Sequence, residues 1–214
     1  MLGKVLFIRT FIASAFVWAS CSIYEAQAAV LDFTQNPYIG SNGLVAGTTY
    51  AISSSGGSLS WGQNQDGSTC FGLVCAKDGL GVGDDEITIG NQRVTIDFGA
   101  VVRITSLAFL DLFSSQDGNN QERAIVEYNG GTVFFDSLIS ETPGGDSGFL
   151  SISNLNIITD KLVFMAGGSN DNLGSDDYAL AAVGVSAVPL PPALLMFGAA
   201  LGGIGFLRRK RSGH

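Results

Sequence analysis

From residue 92 to 98 the chain alternates, with Val94, Ile96 and Phe98 apolar and Arg93, Thr95 and Asp97 polar between them. A period of two sends one set of side chains to a core and the other to water, which predicts a half-buried strand. Further strands are predicted at 30–34, 48–53, 58–61, 86–89, 102–113, 123–128, 132–138, 149–152, 161–166 and 178–185. In the 102–113 run the apolar positions are 102 and 104, then 107, 109 and 113, so the phase slips by one near Thr105. That slip predicts a β-bulge or a break into two strands. Residues 128–132 read YNGGT between two strand patterns, a hairpin signal.

No long stretch carries apolar residues at helical spacing, and the turns are rich in Gly, Asp, Asn and Ser. Short strands with such turns predict an all-β fold, an antiparallel β-sandwich of jelly-roll type. A β-helix is the competing architecture, but no fixed-period repeat supports a solenoid.

Two apolar segments flank this pattern. At the start, Lys4 and Arg9 precede an apolar run over 11–24, and Ala26-Gln27-Ala28 is a small-x-small cleavage pattern. Residues 1–28 therefore predict a secretory signal peptide, with the mature chain beginning at Ala29 or Val30. The competing reading is a lipoprotein signal at Trp18-Ala19-Ser20-Cys21. At the other end, residues 188–211 read VPLPPALLMFGAALGGIGFLRRKR. Fifteen helical residues, 193–207, span about 22 Å against a bilayer core of roughly 30 Å, a marginal transmembrane helix. Arg208, Arg209, Lys210 and Arg211 resist translocation, act as a stop-transfer block and leave the preceding chain on the outer face.

Val188, Pro189, Leu190 and Pro191, the glycine-bearing apolar run and the basic block together resemble the C-terminal sorting signal of the PEP-CTERM family, in its VPLPA-type variant. Pro192 stands where that variant has alanine, and Ala193 follows. The resemblance covers about twenty-five residues and implies export through Sec-type machinery, a single-pass intermediate in the cytoplasmic membrane, and processing near the tetrad by an exosortase. The destination it implies is the cell surface or the extracellular matrix of a bacterium that makes exopolysaccharide. It says nothing of the activity of the domain being sorted, residues 29–187.

Removing both ends changes the charge. Residues 29–187 keep five basic residues and eighteen acids, a net charge of −13 against −8 for the whole chain. Nothing here could neutralise a run of phosphates, so nucleic acid is not an expected partner. Asp84, Asp85 and Glu86 follow a glycine-rich loop, and three adjacent carboxylates are oxygen ligands of the kind calcium takes. Asp177, beside Asp176 and near Asp171, is a fourth candidate metal ligand, and Asp32 lies on the first strand. The arrangement loosely resembles jelly-roll carbohydrate-binding modules, which often keep a structural calcium near their terminal strands. The competing expectation is that these acids are solvated turn residues.

With Cys21 gone, Cys70 and Cys75 form an even pair in C-x4-C spacing, expected to close a local disulfide in an oxidising compartment. The only histidine, His214, lies at the end of the tail, which leaves the exported domain without a Ser-His-Asp or Cys-His arrangement. No catalytic residues are assigned, and the expectation is a non-enzymatic surface protein. A module binding exopolysaccharide is the alternative, with Trp61, Tyr38, Tyr50, Tyr128 and Tyr178 as candidate stacking platforms. A glycoside hydrolase working on carboxylates alone is third.

Overall fold

The computed structural model describes residues 28–62, 70, 72–114, 121–140, 148–168 and 176–188, with Phe197 and Leu201 as isolated positions. Within them the strands are β1 (Ala29–Asp32), β2 (Asn42–Val45), β3 (Thr48–Ser55), β4 (Leu59–Trp61), β5 (Leu80–Val82) and β6 (Arg93–Leu110). They continue as β7 (Phe113–Ser114), β8 (Glu122–Tyr128), β9 (Gly131–Asp136), β10 (Ile139–Ser140), β11 (Leu150–Gly168) and β12 (Ala179–Ala187). Ten of these join in one sheet whose pairings are all antiparallel, and β7 and β10 form a small parallel pair. The all-β expectation therefore holds for the described residues.

Two long strands carry the fold. β6 and β11 run antiparallel from Leu150 opposite Phe109 to Phe164 opposite Val94. The separately predicted strands at 92–98 and 102–113 are thus one element as far as Leu110, and those at 149–152 and 161–166 another. The phase slip is real: on β12, Gly184 faces Ser106 and Val185 faces Ile104, which leaves Thr105 as the extra residue of a bulge. Opposite it, Ser153 faces Ser106 and Ile157 faces Ile104, so β11 is irregular at the same level. A second irregularity separates Lys161 facing Asp97 from Thr159 facing Val102, and residues 98–101 are the slack it takes up.

That second irregularity divides β6 into two halves with different neighbours. β3 pairs with the first half, Ile52 opposite Ile96, and β12 with the second, Val183 opposite Leu107. Apolar side chains of both halves enter one core, among them Val94, Ile96, Ile104, Leu107 and Phe109, with Leu162, Phe164 and Val183 from their neighbours. Each such fully buried side chain contributes about 1.5–3 kcal/mol relative to exposure. Phe109 reaches across to Phe135 of β9, centroids 5.6 Å apart, and meets Tyr178 edge-on at 5.3 Å. The buried phenol of Tyr178 donates to the Met165 carbonyl at 3.1 Å, so its polar end is satisfied within the core.

β12 defines two poles. Its start follows Asp176 and Asp177, at the level where Ala179 faces Leu110, and its end, Ala187, faces Val102. Nine residues at about 3.3 Å separate these poles by roughly 30 Å. β1 lies along the other edge of β12, with Ala29 opposite Val185, so the first and last strands begin and end at the same pole. The Asn129-Gly130 turn of the β8–β9 hairpin is there too, Asn129 donating to Thr159 Oγ1 and to Asp160 Oδ1.

Candidate functional site

The pole away from the chain ends gathers the acids. Residues 86–89, predicted as a strand, instead run beside the start of β12. The Ile87 N–H donates to the Tyr178 carbonyl and the Ile89 N–H to the Asp176 carbonyl, both at 2.8 Å. These bonds hold the segment beside β12 without making it a strand of the sheet. They bring Glu86 to Asp177, a neighbour that sequence alone gave as a separate group. The glycines ahead of it are explained by packing: a Cβ on Gly81 would fall into the Asp85–Glu86 peptide, and Gly79 and Gly83 adopt φ of 124° and 89°. The Val82 N–H then closes the turn on the Glu86 carbonyl at 2.8 Å.

Glu86 is the group this arrangement perturbs most. Burial, the nearby carboxylates of Asp177, Asp111 and Asp85, and a hydrogen bond with Asp177 push its carboxyl from 4.5 up to about 9. A hydrogen bond between two carboxyls requires that one keep its proton, so the pair carries one negative charge fewer than its residues suggest. Asp111, which the sequence did not single out, arrives at the end of β6 with φ of 54°. Asp84 is exposed and its Oδ1 accepts from the Glu86 N–H at 3.4 Å, so it shapes the turn. Among the described residues, no three His, Cys, Asp or Glu side chains are grouped so as to hold a metal ion.

Asp32 has a different task. Its Oδ1 accepts from the Thr34 N–H and hydroxyl at 2.9 and 2.6 Å, and its Oδ2 accepts from the Val74 N–H at 2.9 Å. Thr34 Oγ1 in turn accepts from the Cys75 N–H, and the Thr34 carbonyl from the Ala76 N–H, both at 2.9 Å. These bonds latch the loop of Cys70 and Cys75 onto the end of β1. The two cysteines are paired as a disulfide with Cα atoms 5.9 Å apart. Sequence supplied the pair but not the latch, because the spacing from Asp32 to Val74 follows no motif.

The candidate aromatic platforms divide. Tyr50 and Tyr178 are core residues, and Tyr128 is partly buried against the core. Tyr38 remains exposed and stacks on Trp61, centroids 5.2 Å apart and planes inclined by 25°. The Trp61 Nε1–H is buried without a hydrogen-bond partner among the described residues.

The export and sorting residues lie mostly outside the described residues, Ala26, Pro189, Leu190, Pro191 and Arg208–Arg211 among them, as does Asp171 of the acids. Ala28 and Val188 are described, the former exposed and the latter directly after β12. Among the described residues no helix is long and apolar enough to cross a membrane. Compared with family models, with curated proteins and with solved structures, the chain matches none.

Proposed function

We propose that this chain is an exported bacterial surface or matrix protein whose β domain, a sandwich folded at residues 98–101, is sorted and processed by an exosortase and performs no catalysis. The observation that supports it best is one of boundaries. Among the described residues the first strand begins at Ala29, directly after the signal pattern, and the last ends at Ala187, directly before the proline tetrad. A unit cut to these limits keeps every strand of the described residues. Pro189 and Pro191 deny helix continuation and present extended chain to a processing enzyme just outside the bilayer. In an exosortase-bearing host, Pro189→Ala with Pro191→Ala is expected to accumulate as an uncleaved, membrane-retained form. Processing and release like those of the unmodified chain would leave the tail a plain anchor.

Saccharide binding is the second reading, favoured by the exposed Tyr38 face backed by Trp61. Base or sugar platforms of this kind need one open ring face and a rigid support. Binding to the host's exopolysaccharide is expected to fall at least tenfold in Tyr38→Ala, about 1.4 kcal/mol. Unchanged retention on that polysaccharide would remove the reading. Calcium at the acidic pole is a further proposal, with a proton on the Glu86–Asp177 pair as its competitor. The hydrolase reading draws no support from this pair, because carboxyls in direct hydrogen bond are closer than the roughly 5 Å between the two acids of a retaining glycosidase.

A further inference from the structure

Three exposed apolar side chains stand at the pole where both chain ends emerge. Val101, 51 % exposed, lies in the slack between Asp97 and Val102, and Ile158, 49 % exposed, faces Arg103 on the neighbouring strand. Leu44, 74 % exposed, faces Thr49 on the β2–β3 hairpin, and Thr49 packs against Gly99 of the same slack. At this pole Lys161 pairs with Asp97 at 3.6 Å, Arg103 donates to Asn156 Oδ1, and Asp160 accepts from Asn129. The acids Asp84, Asp85, Glu86, Asp111, Asp176 and Asp177 lie at the other pole, roughly 30 Å away along β12.

We infer that Leu44, Val101 and Ile158 form a membrane-resting face, the surface on which the domain sits against the phospholipid headgroups while its tail is still anchored. The inference rests on the proposed membrane-spanning tail and adds an orientation to it. Its occupant follows from where the chain leaves: β12 ends at Ala187, facing Val102, and the apolar run begins at residue 193, so only five residues separate this pole from the proposed span. Apolar side chains at such a surface bury themselves roughly 5–10 Å into the headgroup boundary. Anionic lipid repels carboxylates within about 10 Å at ordinary ionic strength, and the fold keeps its acid cluster beyond that range.

The test uses the full chain with Cys21→Ser, reconstituted in phosphatidylethanolamine–phosphatidylglycerol vesicles containing nitroxide-headgroup lipid. A fluorophore is attached in separate chains to Val101→Cys, Ile158→Cys and, at the acidic pole, Ile89→Cys, with the Cys70–Cys75 bond left oxidised. Flotation with the vesicles reports the anchor, and quenching reports the face. Several-fold stronger quenching at positions 101 and 158 than at 89 is expected. Equal quenching in a chain that floats overturns the resting face and leaves the anchor standing, whereas a chain that does not float overturns the anchor and this inference with it. In a chain labelled at Leu44→Cys, Val101→Asp with Ile158→Asp is expected to cut quenching several-fold while flotation persists; unaltered quenching overturns the proposal.

Discussion

Glu86 shows how one residue type takes its behaviour from neighbours distant in sequence. In the unfolded chain it is an ordinary carboxyl near 4.5, and in the fold its proton is held to about 9, first by burial and then by Asp177, Asp111 and Asp85. Between those values the folded state binds one proton more than the unfolded state, so the linkage slope is negative. The contribution of this proton to stability is fully present below about 4.5, falls as pH rises, and is lost past about 9. A decline persisting from pH 6 to 9 is therefore expected from the Glu86–Asp177 pair. Urea denaturation across that range is expected to show the decline in the unmodified chain and its absence in Glu86→Gln. A flat profile in the unmodified chain would contradict the shared proton. Calcium that stabilises at pH 8 and loses its effect in Glu86→Gln would show a cation taking the proton's place.

At the level of elements, what can be read from sequence depends on how local its cause is. The Tyr128–Gly131 hairpin and the Thr105 bulge are legible because turn chemistry and the period of two act within a few residues. β2 (Asn42–Val45) and β5 (Leu80–Val82) are not, since Asn42-Gly43 and Gly81 have poor strand propensity and pair only because β3 and β12 stand beside them. Residues 86–89 carry the strand pattern and yet form no named strand, though they bond to the Asp176–Tyr178 segment. The Asp32 latch is invisible for the same reason, its partners lying 41 and 42 residues away. Asp32→Ala leaves the buried donors of Thr34 and the part-buried Val74 N–H without an acceptor, which is expected to cost about 1–3 kcal/mol in chemical denaturation. A loss within about 0.5 kcal/mol, the range of ordinary surface changes, would mean that the disulfide loop docks without the latch.

Across the whole molecule the chain ends set the organisation. β1 and β12 are neighbours, both ends emerge at the pole that carries Val101 and Ile158, and the acids collect at the opposite pole. Such a polar arrangement suits the proposed delivery of the domain by its ends, with the acid cluster at the pole away from the proposed membrane span. Intact-mass measurement of the protein recovered from the envelope and medium of an exosortase-bearing host tests the central claim most directly. The expected product begins at Ala29 or Val30 and ends near Pro189–Pro192. A sole product retaining the sequence through His214, in cells where the enzyme is active, would contradict it.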